Sequence, residues 1–213
     1  MQGSRESQAR ERIGLRGVVK ARRYSPRQNL DYVRLAFTSP RRLLEGFLLE
    51  TSLLYGLVPF AIFVIAYEFL YVWNYLQQRP LAFTRLLPVP EQAYYLYQAL
   101  FAPLINIADV LVFAGVLTMV AQLAGCPGID TKKVTSFFMF MATFGLIAFV
   151  GDIISCVRPL PILIYLHPLV GLISLAYTTE FIHRQAMVSR GKSLAILLPA
   201  WVAYFLFRMV FFR

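Results

Sequence analysis

Apolar residues in this chain come in long unbroken blocks, with none of the every-second-residue alternation of a half-buried strand or a barrel wall. About 20 apolar residues in a helix cross a hydrocarbon layer of ~30 Å. Five blocks reach that length: Leu48 to Trp73, Leu100 to Leu123, Val134 to Ile154, Pro161 to Ile182, and Ser193 to Phe212. Lipid offers no partner to free backbone N–H and C=O groups, so each block is predicted to be a transmembrane helix. Gly56 and Pro59 mark the first as a candidate for a kink. Pro and Gly punctuate the joins at "GCPGID" and "CVRPLP", and Tyr71, Trp73, Tyr75, Tyr94, Tyr95 and Tyr97 fall where an interfacial aromatic belt is expected.

Polar patterning before the first block adds one more element. Ser39 followed by Pro40 has the form of an N-cap and a first-turn proline. Leu43, Leu44, Phe47 and Leu48 then recur at helical spacing, which predicts an amphipathic helix over 30–47 that lies in the inner membrane interface. Its Leu and Phe face enters the acyl boundary in this reading, and Asp31, Arg34, Arg41 and Arg42 stay in water. Residues 1–29 form a basic arm, and residues 48–213 form the five-helix membrane domain. The first apolar run starts too far from the N-terminus for a cleavable signal peptide, so the arm is expected to be retained.

Composition agrees with this frame: of 213 residues 58% are hydrophobic and 15% charged. Eleven of the 21 Lys and Arg residues lie in residues 1–42. Lys132 and Lys133 occupy one later loop, and Arg184, Arg190 and Lys192 another. The alternate loops carry fewer, so the positive-inside rule puts the N-terminus in the cytoplasm and, after five crossings, the C-terminus outside. The formal charge of +10 is then mostly a topology signal. Arg22 and Arg23 in the arm, with Arg41 and Arg42, are expected to lie against anionic headgroups or a protein partner. Nucleic acid is not an expected partner, because basic and aromatic residues do not interleave as in single-strand binders.

Catalytic signatures are not found. The sequence has no HExxH and no G-x-S-x-G, and "RGKS" at 190–193 lacks the glycine and the strand of a phosphate-binding loop. His167 and His183 belong to opposite sides by depth, as do Cys126 and Cys156, so no metal site, cofactor or disulfide is expected. His167, which precedes Pro168, reads as a hydrogen-bond donor at a helix bend.

Asp109 is the polar position that most needs a partner. It falls nine residues after Leu100, roughly 13 Å below the outer boundary at 1.5 Å per residue. Asn106 lies about a turn away on the same face. Glu68, Asp152, His167 and Arg208 also fall in the outer halves of their blocks. A lone charge at such depth costs at least ~2.5–3.5 kcal/mol, so these groups are expected to meet one another or a wet cavity. One reading is a proton or ion path, with Asp109 titrating and Arg208 as counter-charge. The preferred reading is a polar tie, in which Arg208 pairs with Asp152 while Asp109 is protonated or held by Asn106. Ala114, Gly115, Ala142, Gly145, Ala148, Gly171 and Ala176 are small enough for close helix approach, which places the second, third and fourth blocks at the centre of the bundle.

The order of features, with "FTSPRRLLEGF" before the first span and "YLHPLVGLISLAYTTEFIHRQAMVSRGKSLAILLPAWVAYFLF" at the end, resembles the Yip domain of five-span membrane proteins over about residues 30–212. The likeness is to its prokaryotic members, since the acidic-aromatic "GP" signature of the eukaryotic ones is not present. Eukaryotic Yip proteins bind prenylated Rab-type GTPases and act in traffic between the endoplasmic reticulum and the Golgi. The resemblance implies a non-enzymatic membrane protein and assigns no catalytic residue. The expectation is a scaffold or accessory subunit in a bacterial cytoplasmic membrane, working with lipids and with other membrane proteins or copies of itself. Alternatives are a small proton- or ion-coupled transporter using Asp109, and a Rab-binding trafficking factor in an ER or Golgi membrane.

Overall fold

The computed structural model of the protein describes residues 24–50, 52–79, 89–158 and 160–212. Most of the basic arm, including Arg22 and Arg23, lies outside the described residues. Every regular element among the described residues is helical. In chain order these are α1 (Pro26–Thr38), α2 (Pro40–Leu48), α3 (Leu54–Leu76), α4 (Tyr94–Leu123), α5 (Thr131–Phe140), α6 (Ala142–Val157), α7 (Leu166–Ala186) and α8 (Arg190–Phe212). Short 3-10 turns at Glu91–Ala93 and Pro161–Tyr165 lead into α4 and α7.

Among the described residues four helices are long and apolar enough to cross a membrane: α3, α4, α5 with α6 taken together, and α8. The fourth predicted block corresponds to α7, which is not among them. Polar residues thin its apolar run at both ends: His167 near the start, and Thr178, Thr179, Glu180, His183 and Arg184 in the C-terminal half. The described residues are therefore all-helical, with four helices able to span a membrane, consistent with an integral membrane protein.

Helices α3, α4, α8, α7 and α6 follow one another around the bundle, and α5 packs inside against α3, α4 and α7. Aromatic stacking fills the interior. Phe137 lies parallel to Phe181 with ring centroids 4.4 Å apart, Phe113 stacks on Phe138 at 3.9 Å, and Phe47 meets Phe137 edge-on at 5.1 Å. Thr118, Thr178 and Thr179 each return their hydroxyl to a carbonyl four residues back, so these side chains need no outside partner.

The small-residue expectation is met in part. A Cβ on Gly145 would lie 2.6 Å from the Phe63 ring, so this glycine does admit a close contact. Gly115 has open space beside it and takes no part in helix packing. The tightest approach is at Gly56 in α3, where a Cβ would stand 1.9 Å from the backbone oxygen of Ser136 in α5. In α7 the buried residues are Thr178, Phe181 and Ile182, all near its C-terminal end, so the helix at the centre of the bundle is α5, and α7 takes its place in the surrounding ring. Tyr94, expected in an interfacial belt, is buried.

The segment before the first span also differs from its prediction. It is two antiparallel helices broken at Ser39, not one helix over 30–47. Pro40 does open the second helix, but the Ser39 hydroxyl makes no cap bond; the Ser39 N–H instead closes α1 on the Leu35 carbonyl at 2.9 Å. Leu43, Leu44 and Phe47 do not enter an acyl boundary. They are buried by the protein itself, with Phe47 among Tyr32, Tyr55, Phe137, Phe140 and Phe181. Periodicity identified the apolar face correctly, but a single chain cannot say whether lipid or protein covers it.

Because the obstruction at Gly56 is backbone, Gly56→Ala must push α3 and α5 apart, an overpacking cost of about 1–3 kcal/mol. Its thermal unfolding midpoint in detergent is expected to fall clearly below wild type, whereas Gly115→Ala unfolds with wild type. Equal midpoints for the two variants would contradict the close approach.

Candidate functional site

The polar residues singled out in the sequence gather at the end of the bundle formed by the C-terminal parts of α3, α6 and α8 and the N-terminal parts of α4 and α7. Two clusters occupy it. In the first, Asp109 of α4 is fully buried, and its Oδ2 accepts from Nη1 of Arg208 in α8 at 3.2 Å. The same Nη1 lies 2.9 Å from Asn106 Oδ1 and 3.1 Å from the Tyr204 hydroxyl, and the guanidinium carbon sits 5.6 Å from the Tyr204 ring centroid. Asn106 spends its own amide on the Ala102 carbonyl at 2.8 Å, which fixes its oxygen toward Arg208. Helical spacing makes this possible: Asn106 and Asp109 are three apart on α4, and Tyr204 and Arg208 four apart on α8, so each pair shares a face. Burial without Arg208 would leave Asp109 at a prohibitive solvation cost; with it the charge is balanced where it stands.

In the second cluster, Asp152 of α6 accepts from the Tyr67 hydroxyl of α3 at 2.8 Å and lies 3.0 Å and 3.1 Å, through its two oxygens, from Nε2 of His167 in α7. This corrects two expectations. Arg208 pairs with Asp109 and not with Asp152, because α8 packs along α4, which brings the two side chains to one level. His167 does not serve a helix bend; it reaches across to a carboxylate on the preceding helix. Tyr67 donates into the second cluster, and the ring of Tyr71, one turn further along α3, lies 6.0 Å from the Tyr67 ring. Glu68, beside them in sequence, is half-buried, and among the described residues its Oε1 has no hydrogen-bond partner; neither has Asp109 Oδ1.

A third network, which the sequence reading did not find, ties the α1–α2 hairpin to the bundle. Glu50 is buried, and its Oε1 accepts from the Tyr32 hydroxyl and from the Gln28 amide. Tyr55 of α3 donates to Gln28 Oε1 at 3.0 Å, and Lys133 of α5 donates to the Leu48 carbonyl at 2.9 Å. Burial, and then the adjacent Glu50 carboxylate, push the Tyr32 phenol above its ordinary range, so it remains a donor. A cavity of about 10 Å³ lies beside Glu50, lined also by Ser52, Lys132, Lys133 and Ser136, room for about one water. The available signal was a carboxylate at the mouth of the first apolar block, which the sequence boundary at Leu48 had absorbed into the span.

Arg41 and Arg42 are exposed, and Arg41 pairs with Glu45 at 2.9 Å. Among the described residues no group of three or more His, Cys, Asp or Glu side chains is placed to hold a metal ion. Cys126 and Cys156 are free thiols. No protein-family model matches the chain, and no curated protein and no solved structure matches it.

Removing one member of a buried ion pair strands the other, a loss of roughly 3–5 kcal/mol, whereas removing both relieves the strain. Arg208→Gln is thus expected to destabilise strongly, and Asp109→Asn with Arg208→Gln to be less destabilised than the sum of the single changes. Additive losses in unfolding measurements on the purified variants would show that the two side chains do not interact.

Proposed function

We propose that this chain is a five-span integral membrane protein of a bacterial cytoplasmic membrane, and that it works without chemistry of its own, as a scaffold or accessory subunit. The observation that carries this reading is where polarity is spent. Asp109, Asn106, Arg208 and Tyr204 are joined to one another inside the bundle, while the outward faces of α3, α4 and α8 present side chains such as Phe69, Leu111 and Leu206. An interior joined to itself and an apolar exterior suit a protein whose business is contact with lipid and with other membrane helices.

In this proposal α7 also spans the membrane, as the fourth of five crossings. Its 21 residues reach roughly 31 Å at 1.5 Å per residue, and its polar last third sits at the cytoplasmic end. Lys132, Lys133, Arg184, Arg190 and Lys192 support a cytoplasmic N-terminus and an external C-terminus by the positive-inside rule. The resemblance to prokaryotic Yip-domain proteins fits the same order of elements. Glu180, which pairs with Arg184 and Arg190 at 2.8 Å each, links α7 to α8 at that end.

A second reading, a small proton- or ion-coupled transporter, is favoured by one specific feature: Asp109 Oδ1 and Glu68 Oε1 are both buried acceptors with no hydrogen-bond partner among the described residues. The scaffold reading is preferred because Asp109 is already matched by a fixed counter-charge.

Purification from the native membrane in mild detergent, with quantitative mass spectrometry, tests the proposal. The expected result is a constant stoichiometry with one or more defined membrane proteins. Recovery as a lone chain at every detergent concentration would count against it.

A further inference from the structure

Helix α1 is turned in an unusual way. Its buried residues are Asn29, Tyr32 and Ala36, whereas Leu30 is 70% and Phe37 54% exposed. Arg27, Leu30, Arg34 and Phe37 are spaced by three, four and three residues, and all are exposed. At 100° per residue they fall within about 80° of the helix circumference. The result is a single stripe of arginine, leucine, arginine, phenylalanine. Arg41 and Arg42 of α2 extend the positive charge, and Asp31 and Glu45 are the exposed acids nearby, Glu45 being paired with Arg41.

The stripe is held in place from behind. Tyr177 of α7 donates to the Ala36 carbonyl at 2.9 Å, and the Phe37 ring lies 5.1 Å from that of Phe144 in α6. It therefore continues onto helices whose own outer faces are apolar, as at Ile147 and Val150 of α6 and Leu169 and Leu172 of α7. In water alone, leaving Leu30 and Phe37 exposed alongside two arginines is unfavourable; at a headgroup boundary the same stripe is matched, apolar side chains to acyl chains and arginines to phosphates.

We propose that α1 docks on an anionic bilayer surface through this stripe, with Leu30 and Phe37 in the acyl boundary and Arg27 and Arg34 on lipid phosphates. The lipid-facing surface is thus not the Leu43, Leu44 and Phe47 face that periodicity indicated but one on the preceding helix. The inference rests on the membrane-spanning reading above.

The test uses the full chain in liposomes of phosphatidylcholine with and without phosphatidylglycerol, with Cys126 and Cys156 replaced by Ala. A bimane label is placed in turn at Leu30→Cys, Phe37→Cys and, on the exposed apolar face of α3, Phe69→Cys. Brominated acyl chains are expected to quench the labels at 30 and 37. This quenching should rise about twofold or more with phosphatidylglycerol and lose that rise in Arg27→Gln with Arg34→Gln, since each arginine contributes roughly 1 kcal/mol near an anionic surface. Quenching at 69 with labels at 30 and 37 left in water would overturn the docking proposal alone. A label at 69 that is itself unquenched would overturn the membrane-spanning reading on which it rests. Quenching at 30 and 37 that ignores both lipid charge and the arginines would remove the anionic surface as the partner.

Discussion

The buried pair of Asp109 and Arg208 is the constraint around which one end of this protein is arranged. A buried acid must be neutralised by a proton or a counter-charge, and here the Arg208 guanidinium stands 3.2 Å from Asp109, a contact that ties α4 to α8. Asn106 and Tyr204 both engage the same guanidinium nitrogen, so the arginine is oriented from several directions. The neighbouring Asp152, His167 and Tyr67 do the same for α6, α7 and α3. In lipid, where apolar side chains gain little by leaving one hydrocarbon surface for another, such ties and close glycine contacts carry much of the specificity of packing.

At the other end a different device joins the hairpin of α1 and α2 to the bundle. Phe47 is packed among aromatic rings from four helices, and Glu50 gathers Tyr32 and Gln28 beside the first turn of α3. A hairpin anchored in this way is part of the fold, not an appendage. Its outward stripe is consequently presented at a fixed angle to whatever surface lies beside it.

Much of this was legible in the chain. Long apolar blocks yield helices whatever their partners, and the depth of Asn106, Asp109 and Arg208 within their blocks was enough to bring them forward together. What could not be read was pairing between helices. Depth alone left Arg208 free to choose between Asp109 and Asp152, and only the packing of α8 along α4 decides. The same limit hid the burial of Leu43 and Phe47, because lipid and protein reward the same side chains. Tyr67, Tyr32 and Glu50 escaped notice since a tyrosine or an acid near a span end is ordinarily read as interfacial. The break between α7 and the four strongly apolar helices comes from the polar residues it carries, Thr178, Thr179 and Glu180 among them, which a reading by block length passed over.

Whether the Asp109–Arg208 pair is a tie or a working part is decided most directly by proton flux in proteoliposomes, measured with a trapped pH indicator under an imposed gradient. If the pair is structural, the wild-type protein shows no flux above protein-free vesicles, and Asp109→Asn changes stability without changing that baseline. A flux present in the wild type and lost in a folded Asp109→Asn variant would contradict the account and make this chain a transporter.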